Sequence, residues 1–513
     1  MIALVNPPVV KSSEPPPGVY KLLAAMNTEG VDCTVWDANI ECLSNLLEIP
    51  RSTMTAWTTR AVRGLKRNLN LLKTLDGYTN FDRYKRAVSD INHLLEISGA
   101  KTSVKVSLTD YQDPDLSPVK SQDLITSAER PEKNIFFPLF SKSLEKLLIK
   151  KNPAVIGFSL NYFSQALTAF AMIGFLKQKN PSVKILAGGG LVTSWLNRPG
   201  WKSPFKGLID ETIAGPGENA LFFHATSKNV NVKPAVPGYG SAVMDDYLSP
   251  GPVIPYSASS GCYWSKCGFC PEQTEGNPYR PAPVQRVTED LRELVKTHSP
   301  ILIHFLDSAL SPDLMENLAK HPPGAPWYGF ARFTRHLTDE HFCARLKRSG
   351  CIMLQLGLES GDQRVLDNEK KGITLERASK ALSALKKAGI ASYVYLLFGT
   401  PSETYEAAVK TLEYVTAHAA FIDFLNVAIF NLPIDSKEER QLTINAFSEG
   451  DLSLYSNFIH PKGWDRKQVR RFLNKAFKRH PAISPIIKND PPYFTSNHAP
   501  FFCRGLQQMY FPS

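Results

Sequence analysis

The chain has 513 residues, 43% of them hydrophobic, with 59 Lys and Arg against 48 Asp and Glu for a formal charge of +11. That apolar share excludes wholesale disorder, and the length allows two or three domains. The basic residues are spread along the chain without an aromatic-basic repeat or a finger motif, which points away from nucleic acid; an anionic small substrate or cofactor is sufficient to explain the charge. The apolar start MIALVNPPVV has no basic lead-in and breaks at Pro7 and Pro8, so neither a signal peptide nor a membrane span is expected, and the protein reads as cytoplasmic.

In chain order, residues 2–5 predict a strand, 19–29 a helix and 33–36 a second strand ending at Asp37, the opening of a parallel α/β sheet. Residues 44–151 turn helical and polar, and Arg60, Arg63, Lys66, Arg67 and Lys73 read as a solvated helix face. The α/β rhythm resumes with 154–160, a helix to 179, then 183–190 and 208–218, each apolar run ending in small residues where a ligand can approach. Residues 1–228 are therefore expected to form one Rossmann-like domain with a helical insertion, followed by a Pro- and Gly-containing linker at 229–252.

From 253 to 430 strand and helix alternate again. Strands are expected at 253–259, 301–306, 327–332, 351–358, 391–399 and 421–430, with amphipathic helices between them, such as 375–388 capped by Gly389. Six such units suit a partial (β/α)6 barrel with its chemistry at the C-terminal ends of the strands. Residues 431–513, rich in Pro, aromatic and basic residues, with one helix near 466–478, read as a cap over the barrel and its substrate region.

Of eight cysteines, too few for a disulfide scaffold, three fall in GCYWSKCGFCPE as Cys262, Cys267 and Cys270 on the loop after the first barrel strand. Such spacing lets one short loop bind three irons of a 4Fe-4S cluster through thiolates and leaves the fourth iron open. A zinc site normally takes four ligands, and no fourth Cys or His lies nearby in sequence. Cys33, Cys42, Cys343, Cys351 and Cys503 are scattered and read as buried or incidental thiols.

The cysteine loop, GLESGDQRVLDNEKKG at 357–372 and YLLFGTPSET at 395–404 together resemble the radical S-adenosylmethionine (SAM) superfamily, and more narrowly its cobalamin (B12)-binding-domain class. The loop departs from the superfamily's usual spacing, with four residues instead of three between the first two cysteines. The resemblance implies SAM contacts from Phe269, Asp307, Ser308, Arg332, Glu359, Gly399 and Pro401. Asp307 also suits a helix N-cap before Ser311, Arg332 suits a carboxylate of SAM or substrate, and Glu403 suits the start of the following helix.

In the N-terminal half the resemblance implies cobalamin contacts from Asn6, Pro7, Ser159, Leu160, Asn161, Gly188, Gly189, Gly190, Gly215, Gly217 and Glu218. The Asp-x-His-x-x-Gly motif that supplies an axial histidine to cobalt in many cobalamin proteins is missing. The activity implied is methyl transfer to an unactivated carbon with methylcobalamin as the immediate donor. The alternatives are a radical cyclase, rearrangement or oxidative enzyme in which cobalamin is non-methylating or absent, and, remotely, a non-catalytic zinc-stabilised binding protein. The expected partners are a small-molecule or peptide substrate and an electron donor such as flavodoxin or ferredoxin. The chemistry needs no conventional acid-base pair.

Overall fold

The structure, a computed structural model, describes residues 1–48, 55–99, 102–445, 449–492 and 497–505. Parts of the tail expected to act as a cap, residues 446–448, 493–496 and 506–513, lie outside the described residues. The chain divides into two compact units, one formed by Met1–Pro250 with the return segment Glu449–Leu454, the other beginning at Gly251.

The first unit is built on a five-stranded parallel sheet. Its strands are β1 (Ile2–Asn6), β2 (Cys33–Asp37), β3 (Val155–Ser159), β4 (Lys184–Gly188) and β5 (Glu211–Thr212), in the order β2-β1-β3-β4-β5. The apolar cores of β1, β3 and β4 are buried, as strands covered on both faces require. The chain leaves β1 toward β2 on one side and returns at β3 on the other, which makes the gap between the C-terminal ends of β1 and β3 a topological switch point. The run expected as a strand at 208–218 reduces to the two residues of β5, because Gly215, Pro216 and Gly217 follow at an edge with a single pairing partner.

Helix α1 (Pro17–Thr28) joins β1 to β2, and between β2 and β3 the insertion folds as helices α2 (Ala38–Glu48), α3 (Ala56–Leu72), α4 (Phe81–Ser98), α5 (Ser121–Glu129) and α6 (Phe137–Lys151). Thr55 caps α3 by accepting from the Thr58 N–H at 3.1 Å, and Arg60, Arg63, Lys66 and Arg67 face solvent as the sequence predicts, whereas Lys73 is half-buried and donates to the Asp245 carbonyl at 2.6 Å. Helix α7 (Phe163–Lys179) is buried from Gln165 to Leu176. It meets α5 at Gly174, where any Cβ would overlap the Ala128 backbone. The stretch expected as a linker at 229–252 is tied down on this unit: Tyr239 and Tyr247 are buried, and the Tyr247 hydroxyl donates to Asp37 Oδ2 at 2.7 Å. Its aromatic residues give it apolar surface to bury, which its Pro and Gly content masked.

The second unit carries a six-stranded parallel sheet whose strands lie side by side in chain order: β6 (Val253–Tyr256), β7 (Leu302–Phe305), β8 (Trp327–Ala331), β9 (Cys351–Glu359), β10 (Ala391–Phe398) and β11 (Phe424–Ile429). Helices at Val284–His298, Pro312–Lys320, Glu340–Arg348, Leu375–Ala388 and Tyr405–Ala417 connect them. Strands β6 and β11 each pair on one side only, so this is an open (β/α)6 barrel. Its strand ends gather the loops that carry the conserved chemistry of such folds. Beyond β6 the run expected as one strand breaks. Ser259–Ser260 turns back to pair antiparallel with Arg280–Pro281, and this small hairpin frames the cysteine loop. The helix expected at 466–478 is α-helical over Arg466–Phe472 and widens to a π-turn at Leu473–Phe477.

Candidate functional site at the cysteine loop

Gly261 starts the loop at φ +70, and a Cβ there would press on the Pro278 backbone, so the turn into Cys262 requires glycine. All three thiols are free; Cys267 is buried and Cys262 and Cys270 are half-buried. The Cys270 N–H donates to the Cys267 carbonyl at 3.2 Å, and the Gly268 N–H donates to the Glu369 carbonyl at 3.0 Å, which fixes the inner half of the loop against the segment after β9.

The thiols are close enough to act on one another. Burial pushes the Cys270 thiol up to about 11, aided by the charges of Cys267 and Cys262. Burial also raises Cys267, while Lys371 and Arg332 oppose the rise. A bound metal centre reverses this cost by holding the thiolates directly. The loop carries three soft donors, all free thiols, and among the described residues no group of three or more His, Cys, Asp or Glu stands together as a formed metal site. That donor set fits an iron-sulfur cluster with one open iron better than a closed zinc site.

Around the loop, Trp264 donates its indole N–H to the Lys370 carbonyl at 3.0 Å and lies over Gly372. Glu359 sits at a register shift at the end of β9 with φ +68, a bulge that re-aims its side chain, and its carboxylate pairs with Lys371 Nζ at 2.7 Å. The same ammonium lies 5.4 Å from the ring centroid of Phe269. The side chains of Lys371 and Glu359 are 7% and 17% exposed, so this pair is not an ordinary surface bridge.

Asp307 is buried and does not cap the following helix; Ser311 does, accepting from the Leu314 N–H at 3.2 Å. The Asp307 carboxylate instead accepts from the Ala258 N–H at 3.0 Å and the Ser259 hydroxyl at 2.5 Å, which joins the ends of β6 and β7. Exposed Ser308 donates to Glu272 at 3.1 Å. Arg332, expected to meet a carboxylate of SAM or substrate, donates within the chain through Nη1 to Cys267 Sγ at 3.7 Å and through Nη2 to the Lys371 carbonyl.

At the end of β10, Gly399 adopts φ +80 and its N–H donates to Glu403 at 2.5 Å. Trp464 donates to the same carboxylate oxygen at 2.9 Å, and burial pushes Glu403 up to about 7. Glu403 is thus a buried anchor for the Gly399–Pro401 turn and the tail, rather than a solvated charge before the next helix. The tail also reaches this turn through His460 Nε2, 2.9 Å from the Thr400 carbonyl, and Lys462 Nζ, 2.5 Å from the Ser402 carbonyl. Lys371, Trp264 and Trp464 were not singled out from sequence. Trp264 and Trp464 are distant in the chain from their partners, whereas Lys371 lies twelve residues from Glu359, and only their position in or beside a motif could have marked them.

In the first unit a small apolar cleft of about 60 Å³ opens between the sheet and its covering helices. Ser159, Gly188, Gly189, Gly215 and Gly217 line it, with Leu4, Val19 and Leu221. Gly189 adopts φ +102 and packs so closely on Leu160 that no Cβ fits. Asn6, Pro7, Leu160, Asn161, Gly190 and Glu218 lie outside that lining. Asn6 is buried and donates to Asp37 at 2.9 Å, and Gln165 donates to the Asn6 side chain at 3.2 Å and to the Pro7 carbonyl at 2.9 Å. Asn161 receives the Gly190 N–H at 2.9 Å. Glu218 is buried at the start of its helix, 3.9 Å from Lys21 Nζ, with its second oxygen lacking a hydrogen-bond partner. Among the described residues no helix is long and apolar enough to cross a membrane.

Residues 256–415 match the radical SAM superfamily family model. An uncharacterized methyltransferase of Pyrococcus horikoshii is 24% identical over 307 residues, covering 53% of this chain and 66% of its own length. The anaerobic magnesium-protoporphyrin IX monomethyl ester cyclase of Rubrivivax gelatinosus is 26% identical over 238 residues, covering 43% of this chain and 42% of its own. The chain thus spans less than two thirds of the length of these relatives. The solved cobalamin-dependent SAM radical enzyme OxsB, with aqua-cobalamin and SAM bound, superposes with a TM-score of 0.57 at 13% identity, covering 92% of this chain and 66% of that one, a likeness of fold. The barrel that presents the cysteine loop thus carries a radical SAM superfamily domain over residues 256–415.

Proposed function

We propose that this chain is a cobalamin-dependent radical SAM methyltransferase acting on an unactivated carbon. The observation that carries the reading is the glycine-lined apolar cleft at the strand ends of the β2-β1-β3-β4-β5 sheet, in a chain that also carries a radical SAM barrel. The fold shared with OxsB and the methyltransferase named among the relatives support it.

When bound, the cluster, SAM and cobalamin supply the electron, the hydrogen-abstracting radical and the transferable methyl group. The protein's own residues hold and orient. Cys262, Cys267 and Cys270 hold the cluster. Phe269, Asp307, Ser308, Arg332, Glu359, Gly399 and Pro401 form the SAM-binding side, with Lys371 fixing the Glu359 carboxylate and Glu403 fixing the turn at Gly399. Ser159, Gly188, Gly189, Gly215 and Gly217 expose backbone and apolar surface to a corrin or its nucleotide tail, with Asn6 and Gln165 keeping the β1 and β3 ends in place. The substrate is a small molecule or peptide, and an external one-electron donor of the flavodoxin or ferredoxin type reduces the cluster.

Anaerobic reconstitution with iron and sulfide, followed by hydroxocobalamin binding and a screen for SAM-derived products, tests the proposal. Both 5′-deoxyadenosine and S-adenosylhomocysteine are expected; failure to bind hydroxocobalamin refutes the methyltransferase. A radical cyclase or oxidative enzyme is the second reading, favoured by the similarity to the Rubrivivax cyclase, and it predicts 5′-deoxyadenosine alone. A colourless protein containing only zinc would exclude both.

A further inference from the structure

The four-residue spacer between Cys262 and Cys267 is anchored at its second residue. Trp264 donates its indole N–H to the Lys370 carbonyl at 3.0 Å, and its ring covers Gly372, a residue at φ +69 where any Cβ would overlap the indole. The guanidinium carbon of Arg332 lies 4.4 Å from the centroid of that ring. Arg332 itself is 7% exposed and follows directly on β8. Its Nη1 donates to Cys267 Sγ at 3.7 Å, and its Nη2 is held by the Lys371 carbonyl. An aromatic plate and a carbonyl therefore hold a buried, permanently charged donor against one sulfur of the loop.

We propose that Trp264 is a positioning residue that keeps Arg332 against Cys267, so that the guanidinium donates to a cluster-bound thiolate and raises the reduction potential of the cluster. This rests on the reading that Cys262, Cys267 and Cys270 hold a 4Fe-4S cluster. Reduction adds one electron, delivered by an external one-electron donor, and makes the cluster and its thiolates more negative. A cationic N–H donor at sulfur stabilises that state more than the oxidised one. Arginine suits the role because its planar fork can stack flat on the indole while two separate nitrogens reach the sulfur and the carbonyl; a lysine ammonium is a single point charge without that plane or span. The lengthened spacer acquires a use: it brings an indole across to the segment after β9, where Arg332 arrives from β8.

The test is a redox titration followed by electron paramagnetic resonance on the anaerobically reconstituted full chain, with SAM binding measured in parallel. Trp264→Ala and Arg332→Gln are expected to move the midpoint to more negative values. The double variant should move it no further than Arg332→Gln alone, Trp264→Phe should restore it toward wild type, and SAM affinity should be unchanged in Trp264→Ala. A fully loaded Arg332→Gln protein with the wild-type midpoint overturns the proposal. Should that variant also lose SAM affinity, Arg332 belongs to the SAM carboxylate. Failure of both variants to take up a cluster would mean that the pair serves assembly, which overturns tuning as well. Absence of stoichiometric iron and sulfide in the wild type is a separate failure, that of the cluster reading itself.

Discussion

Glu403 is a carboxylate in a place where charge is costly. It is 1% exposed, one oxygen receives the Gly399 and Trp464 N–H groups, and the other has no hydrogen-bond partner. Its folded pKa of about 7 stands above the ordinary 4.5, so between those values the native state keeps a proton that the unfolded chain releases. Stability contributed at this position is therefore complete below about pH 4.5 and falls as pH rises to about 7, by at most about 3 kcal/mol. Glu403→Gln cannot ionise, so its denaturant midpoint should fall less than that of wild type between pH 5 and 8; parallel curves would show that Glu403 does not titrate there. The sequence exposed the cysteines at this scale because three thiols on one loop carry their meaning in their spacing. It did not expose Glu403 as an anchor, since its partner Trp464 is remote in the chain. Nor did it expose Lys371, which reads as one of two adjacent lysines until the fold brings it to Glu359.

At the scale of elements, the apolar strands were legible because a buried parallel strand needs a continuous apolar run, and β1, β3, β4 and β7 to β10 each provide one. The ends were not. The 253–259 run reads as one strand, yet β6 stops at Tyr256, since the chain must turn to form the hairpin that presents Cys262. Close crossings are also invisible in periodicity. Helix α7 reads as a uniformly apolar helix, and Gly174 looks like a mild weakness within it, but Gly174 is where the backbone of α5 touches. Alanine there would gain about 0.5–1 kcal/mol of helix preference. It would cost about 1–3 kcal/mol by forcing the helices apart. Gly174→Ala should thus lower the urea midpoint of the first unit, and an unchanged or raised midpoint would mean that the two helices can separate freely.

At the scale of the whole molecule, the α/β class and the open six-stranded barrel followed from the alternation of strand and helix, but the path of the tail did not. Glu449–Leu454 belongs to the first unit. The Leu452 N–H donates to the Val119 carbonyl at 2.9 Å, Trp195 donates to the Leu452 carbonyl at 3.2 Å, and Arg198 donates to the Asp451 carbonyl at 2.7 Å. These contacts run through backbone carbonyls, which any sequence provides, so no residue pattern announces them. Gly450 lies against the Val119 backbone with no room for a Cβ. In Gly450→Ala the Leu452 amide should exchange about 10–100-fold faster, corresponding to a local loss of roughly 1–3 kcal/mol, while amides in β9 and β10 keep their protection. Equal protection at Leu452 would show that the return segment is not held there.

That return segment also sets a timetable for synthesis. The sheet of the first unit is complete once Thr212 has emerged from the ribosome, yet the carbonyls that satisfy Trp195 and Arg198 arrive only with Asp451 and Leu452. At roughly 5–20 residues per second, the intervening chain takes on the order of 10–50 s to appear. For that interval the nascent first domain has a buried tryptophan without its acceptor, a window in which a chaperone has something to recognise and a stalled ribosome leaves an unfinished protein.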